Sequence, residues 1–395
     1  MSGTVLDSVD LSGRLSLAST QERVMEGSLP SGTAREGAAM CIDLRETSRV
    51  DVEALMFLLV AMTSRVTRSE PTVLRLPRRR RLRDFLRVWR FQRAVETTAA
   101  FRFRELVHPE DHALFGEGVR YDAPGWPNPV PSGLAGHLER QHFFSFRPYV
   151  LRNPQSGTAM LQREWARWRQ PTVLQLMKRR LAGPAHDIAR VVIAELVANA
   201  VQHPNARVAT VASAIERATP GCDGTLSISI WDNGIGIART LGECLTGSDE
   251  IGPKTIRVGN PTVLDEFHVV PEGWTSRHSV LTSDWTPDSD AHEAELLLAS
   301  LFPGISRKAA QAVEPVDAPG PAPAEANVGY GLHALYRSVV DDFAGELAIR
   351  TGRLSLRLRA AGDGGGGAYE AHLEFHDEWP EFLGNMVTVR IPFSG

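Results

Sequence analysis

Hydrophobic and polar positions follow two periods along the chain. A strand-like run, Ala39-Met40-Cys41-Ile42-Asp43-Leu44, precedes a stretch in which Leu55, Leu58, Leu59 and Met62 recur at helical spacing. Asp51 stands where a helix N-cap is expected, so this helix has one apolar face and a polar start. Thr72-Val73-Leu74-Arg75-Leu76 reads as a second strand, stopped by Pro77. A second amphipathic helix follows, with Leu82, Phe85, Leu86 and Trp89 on one side. Strand–helix–strand–helix in this order implies a parallel or mixed sheet. Residues 1–37 are polar and rich in small residues, with weak alternation from Leu11 to Leu17, and read as a leader or first strands.

The middle of the chain changes character. Residues 109–160 carry Pro124, Trp126, Pro127, Pro129 and Pro131 and read as a connector. A helix is expected from Thr172 to Leu181, entered at Pro171 and broken by Gly183-Pro184. Another runs from about His186 to Val201. Val208–Ile215 and Leu226–Trp231 read as strands. Residues 238–327 look long and irregular and end in a linker rich in Pro and Ala, 315–327. Leu332–Phe343 reads as a helix, and Leu347–Arg359, Tyr369–Phe375 and Met386–Ile391 alternate like strands. The glycine run 364–367 reads as an exposed loop, and no internal repeat is found.

Composition narrows the class. At 395 residues the chain is long enough for two cores. With 43% hydrophobic and 23% charged residues it reads as globular, and a net charge of −4 gives no global reason to expect a polyanionic partner. Three cysteines, none in a C-x-x-C pair, argue against a disulfide framework and a structural zinc site. The apolar run Ala54–Met62 is too short to span a bilayer. No signal peptide is apparent at the N-terminus, so a cytoplasmic protein with no membrane partner is expected.

Three segments carry candidate chemistry. From Val191 to Val201 the helix is almost wholly apolar except for Glu195 and Asn199, with His203 one step further on the same face. An Asn oxygen is a hard ligand suited to Mg²⁺, and a Glu can orient and deprotonate water. The alternative is a solvent-facing stripe. Next, the alternating strand Leu226–Trp231 runs into Asp232-Asn233-Gly234-Ile235-Gly236. A buried Asp at a strand end can accept from an adenine amino group, and Gly234 and Gly236 remove side chains where a flat base would slide in. A hairpin turn is the competing reading. Third, Gly329-Tyr330-Gly331-Leu332 stands directly before a helix, where backbone amides favour phosphate, though a plain helix start is the commoner explanation.

Taken together, Glu-x-x-x-Asn, then Asp-x-Gly-x-Gly, then Gly-x-Gly-Leu resembles the three nucleotide-binding boxes of the GHKL superfamily, the group of gyrase B subunits, MutL proteins, histidine kinases and anti-sigma-factor kinases. The run Leu383-Gly384-Asn385-Met386-Val387-Thr388-Val389-Arg390-Ile391-Pro392 resembles that fold's closing strand. The resemblance covers about residues 160–395. It implies an ATP site with Glu195 as general base and Asn199 as the Mg²⁺ ligand. Asp232 would read adenine, Gly234 and Gly236 would shape its pocket, and Gly329, Gly331 and Leu332 would form the lid end that closes on the phosphates. His203 has no assigned role beyond a structural one. Met40–Glu96 is similar in order and spacing to a STAS domain, the module of anti-sigma-factor antagonists. It lacks a hydroxyl in Asp51-Val52-Glu53-Ala54-Leu55, which argues against a phosphoswitch.

The expected fold is therefore α+β. A C-terminal Bergerat α/β sandwich, with a helical layer on a mixed sheet, spans 161–395 and holds a long lid insertion at about 238–328. It follows a smaller STAS-like α/β unit at 38–108. The insertion is acidic from Thr282 to Glu295 and reads either as a gating or partner-binding element or as a spacer. No phosphoacceptor helix is evident, which argues against a sensor histidine kinase, and the end at Gly395 leaves no room for a transducer domain. Arg78, Arg79, Arg80, Arg81, Arg83, Arg87, Arg90 and Arg93 form a basic cluster, read by default as a solvated face. Two functions are carried forward: an Mg²⁺-dependent ATPase or protein kinase of the anti-sigma-factor type, and an ATP-gated regulatory switch with little turnover. Both imply a protein partner or substrate. Nucleic acid is not favoured, and a homodimer is an open option.

Overall fold

A computed structural model describes residues 7–15, 20, 40–89, 91–99, 101–115, 142–150, 206–217, 224–246, 290–301, 331–360, 369–375 and 382–393. The helices expected at 172–181 and 186–201, the linker 315–327 and the glycine run 364–367 lie outside these residues.

In the N-terminal part the elements are β1 (Asp7–Asp10), β2 (Gly13–Leu15), β3 (Met40–Asp43), β4 (Thr47–Val50), α1 (Val52–Thr67), β5 (Thr72–Arg75), α2 (Arg80–Val88), α3 (Phe91–Ala99) and α4 (Phe103–Leu106). A 3₁₀ turn at Pro109–Phe115 and β6 (His142–Val150) come next. Then follow β7 (Val208–Arg217), β8 (Gly224–Asp232), α5 (Ile237–Thr246), α6 (Asp290–Ala299) and α7 (Gly331–Tyr336). Beyond α7, Arg337–Asp342 continues as a π-helix. The remaining strands are β9 (Glu346–Gly352), β10 (Leu354–Ala360), β11 (Tyr369–Phe375) and β12 (Phe382–Phe393).

Strands β1, β3 and β5 form a parallel sheet in the order β1-β3-β5. The N-terminal stretch, read as a leader or first strands, supplies an edge strand. A large seven-stranded sheet has the order β11-β10-β9-β12-β8-β7-β6, and every neighbouring pair in it is antiparallel. The resemblance implied a mixed sheet here. The pairs β7–β8 and β9–β10 instead join strands that are consecutive in the chain, and such neighbours pair antiparallel. Strand β6 lies within the stretch read as a connector, where proline content masked it.

Helix α1 is the hinge of the architecture. Asp51 caps it, accepting from the Ala54 backbone N–H at 2.7 Å. One apolar face was expected, yet every residue from Val52 to Val60 is buried. The reason is that α1 packs against two sheets at once, touching β5 on one side and β7, β8 and β12 on the other. Full burial of residues such as Leu55, Phe57 and Leu59 stabilises the fold by about 1.5–3 kcal/mol each. Trp231, Phe382 and Met386 of the large sheet share one core with α1 and the small parallel sheet.

Several positions of the large sheet that face α1 are small, beside the larger Trp231 and Met386. Ala212, Ala214, Ser227 and Ser229 alternate with the apolar residues of β7 and β8. In the fold Ser229 is fully buried, and its hydroxyl is satisfied by Thr388 Oγ1 at 2.8 Å across the strand pair. On the same face Glu53, at the start of α1, makes a two-pronged ion pair with Arg390 of β12. Arg390 also donates to Glu346 Oε1 at 2.7 Å. Burial alone would lower the Arg390 pKa, but the Glu53 and Glu346 carboxylates outweigh it and hold the guanidinium above its ordinary value.

The opposite face of the large sheet carries Leu347, Ile349, Leu354, Leu356 and Leu358, all buried. The π-helical segment after α7 packs on β9, β10 and β12, with Val339 and Val340 buried. Helices α5 and α6 pack on each other. Both lie within the stretch read as irregular. Ala294, Leu296, Leu297 and Leu298 bury α6, so the acidic lead-in at its start does not extend to the rest of the helix. Among the described residues, no helix is long and apolar enough to cross a membrane.

Candidate functional site

Strand β8 ends at Asp232, which is 5% exposed. The next residues do not form a hairpin: the chain passes through Asn233–Gly236 and enters α5. Asn233 braces this turn against the start of β7, its Oδ1 accepting from the N–H groups of Arg207 and Val208 at 2.8 and 2.9 Å. The Gly234 N–H donates to Asp232 Oδ1 at 2.9 Å, which closes the turn on the carboxylate. Gly236 has φ +97°, a region L-residues avoid, and a Cβ there would lie 2.8 Å from Thr351 Oγ1. Thr240 then secures the first turn of α5, its hydroxyl donating to the Gly236 carbonyl at 2.6 Å.

Two residues that carried no role in the sequence complete the cluster. Asn385 of β12 pairs directly with Asp232 across the antiparallel ladder. Its Nδ2 donates to Asp232 Oδ1 and Oδ2 at 3.3 and 3.2 Å. Its Oδ1 accepts from the Ile237 N–H at 2.8 Å, and that donor fixes which way the amide faces. Thr351 of β9 pairs with Asn385 on its other side, and its Oγ1 also receives the Ile237 N–H at 3.3 Å. Asn385 and Thr351 are 2% and 3% exposed. The result is a small, dry polar cluster in the middle of an apolar face, made of one carboxylate, one amide, one hydroxyl and the first N–H of a helix.

Asn385 was visible in the closing-strand pattern, where Gly384-Asn385 interrupts an apolar alternation, but only the β8–β12 register shows that it meets Asp232. Thr351 had no signal beyond strand alternation. Gly384 has φ +77°, and a Cβ on it would stand 1.8 Å from the Asp232 carbonyl oxygen. The backbones of β8 and β12 are therefore in contact at the site, and only glycine permits it.

Asp232, Gly234 and Gly236 lie in and beside one turn between β8 and α5. Gly331 opens α7, and Leu332 is half-buried beside it. His333 donates from Nδ1 to the Leu301 carbonyl at 2.9 Å, tying α7 to the turn that follows α6. The stretch read as irregular thus contains a folded helix, α6, and the turn that follows it is tied to α7. Glu195, Asn199, His203 and Gly329 lie outside the described residues. Of the arginine cluster, Arg78, Arg79, Arg80 and Arg81 are exposed at the start of α2. Arg78 pairs with Glu46 at 2.9 Å and Arg80 with Asp84 at 3.7 Å. Among the described residues no group of three or more metal-ligating side chains converges.

Comparison with known proteins finds no matching family model, no matching curated relative and no matching solved structure.

Proposed function

We propose that the chain binds ATP with Mg²⁺ at a GHKL-type site whose base-reading end is the Asp232 cluster. The observation that carries this reading is a buried carboxylate held in place by Asn385 and the Gly234 N–H. An ionised Asp is acceptor-only, and a nucleobase amine is a matching donor. Gly236 leaves the approach beside Thr351 without a side chain. These residues fit the base end of a nucleotide. The phosphate and metal end rests on the sequence resemblance, in which Asn199 holds Mg²⁺, Glu195 acts as base and Gly329, Gly331 and Leu332 meet the phosphates. Bound magnesium nucleotide supplies a γ-phosphoryl group for hydrolysis or for transfer to a protein.

In this reading Asp232 selects the base, Asn385 and Gly234 keep its carboxylate oriented, and Glu195 positions the attacking oxygen. The second reading, a nucleotide-gated switch with little turnover, is favoured by one feature: the strands that carry Asp232 and Asn385 also form the seat of α1 on their other face. Calorimetry with Mg²⁺–ATP on wild type and Asp232→Asn tests the site, and phosphate release from the same samples separates enzyme from switch. Binding by wild type and none by the variant is expected. Equal binding by both, or none by either, sinks the proposal.

A further inference from the structure

The cluster around Asp232 is held from behind. Strand β12 leaves its register with β9 between Phe382 and Asn385, a bulge in which Leu383 and Gly384 are the two extra residues. Phe382 stacks on Phe57 of α1, with ring centroids 6.1 Å apart and planes 19° from parallel. The Arg350 guanidinium lies over the same Phe382 ring, 5.7 Å from its centroid. The Leu383 carbonyl accepts from Trp231 Nε1–H at 2.7 Å. Trp231 is fully buried in the core shared with α1. Gly384 lies hard against the Asp232 backbone, which leaves no slack. Asn385 then turns to the opposite face, where it holds Asp232 and the Ile237 N–H.

We propose that Trp231 and Phe57 are positioning residues for base recognition. They fix the bulge from the α1 face and thereby set Asn385, and through it the Asp232 carboxylate, on the other. The N-terminal α/β unit is then a working part of the nucleotide site. This rests on the ATP reading above. The physical basis is dense packing: a bulge gripped on both faces passes a displacement on rather than absorbing it. A shift of a few tenths of an ångström at Leu383 lengthens the Asn385–Asp232 contacts, already 3.2 and 3.3 Å, and loosens the carboxylate.

The test reads selectivity, which a purely structural role leaves unchanged. ATP and ITP differ at the group that Asp232 would meet, an amino donor in one and an oxo acceptor in the other. Mg²⁺-dependent binding of each is measured by calorimetry on the full-length protein, wild type, Trp231→Phe and Phe57→Leu. Trp231→Phe keeps an aromatic ring and removes the indole N–H. Ile391→Val is the packing control, because Ile391 pairs with Leu226 at the far end of the same strand pair. Wild type should prefer ATP. Both positioning variants should narrow the ITP-to-ATP ratio roughly three- to tenfold, the worth of one buried hydrogen bond, and the control should leave it unchanged. If Phe57→Leu does not fold, Trp231→Phe decides. An unchanged ratio in Trp231→Phe, alongside a collapse in Asn385→Ala, overturns the inference and leaves the ATP site standing. A wild type that binds both nucleotides equally, or neither, overturns the base-reading role of Asp232 and this inference with it.

Discussion

Asn385 holds Asp232 with one end of its amide and the first N–H of α5 with the other. Three elements therefore meet at one side chain: the end of β8, the bulge of β12 and the start of α5. Asn385→Ala leaves the buried Ile237 N–H with only the longer Thr351 contact and removes a donor from Asp232. A loss of about 1–3 kcal/mol in denaturant stability is expected, with weaker ATP binding. Asn385→Asp should be worse on binding, since a second carboxylate beside Asp232 disfavours the ionised pair. An Asn385→Ala variant as stable as wild type would contradict the assignment.

Gly384 should tolerate no side chain. At φ +77°, with the Asp232 carbonyl oxygen where a Cβ would go, Gly384→Ala must either push β8 and β12 apart or change the local backbone. The expected cost is on the order of 3 kcal/mol or more, read as a fall in the denaturant midpoint or as loss of folded protein. Gly236→Ala should cost less, because its conflict is with one hydroxyl, Thr351 Oγ1, rather than with backbone.

Glu53 is 3% exposed and faces Arg390 across the α1–sheet interface. Glu53→Ala keeps the Glu346 contact but removes one of the two carboxylates from the half-buried guanidinium, and a loss of about 1–2 kcal/mol is expected in chemical denaturation. Replacing both Glu53 and Arg390 with apolar residues should recover part of that loss. A double variant that is additive with the singles would show that the pair is not coupled.

The shared core predicts cooperative unfolding. Tryptophan fluorescence, which sums eight indoles including the buried Trp89 and Trp231, and far-ultraviolet circular dichroism should give coincident denaturation curves for the full chain. Residues 206–395 expressed alone would uncover Trp231, Phe382 and Met386 and should bind a hydrophobic dye or aggregate. Two well-separated transitions would argue that the two parts fold independently.

Acid should weaken the small parallel sheet. Burial alone would raise the Asp43 pKa, but hydrogen bonds from the Arg45 guanidinium and backbone N–H, with Arg75 nearby, outweigh it and hold the carboxyl below its ordinary value. A depressed carboxylate contributes stability that is present above its unfolded value and lost as pH falls through the folded one. Stability of wild type should therefore fall below about pH 4, and Asp43→Asn, less stable at neutral pH, should show a flatter profile there. Unfolding curves from pH 7 to 3 check this.

Much of the local structure was legible because local chemistry decides it. Asp51 before an apolar-periodic run is a cap wherever that run goes, and Pro77 ends β5 for the same reason in any fold. The alternation Leu226–Trp231 announced a strand, and Asp232-Asn233-Gly234 announced a tight turn after it. Helices α5 and α6 are short, ten residues each, and their apolar positions carry no cap or breaker that marks them off from the surrounding stretch. Strand β6 was hidden by the prolines and aromatics of its surroundings. The chemistry at Glu195, Asn199 and Gly329 lies beyond the described residues and rests on the sequence alone.

The sequence by itself determined where some elements start and stop, as at Asp51 and Pro77, because caps and breakers act within a few residues. Only the tertiary structure decided that Ser227 and Ser229 are covered rather than solvated, that α1 is buried on all sides, and that Asp232 is held by Asn385, 153 residues away along the chain. Those outcomes depend on strand register and on which face of a sheet another element covers. Register and cover arise from contacts between distant segments, and no local pattern encodes them.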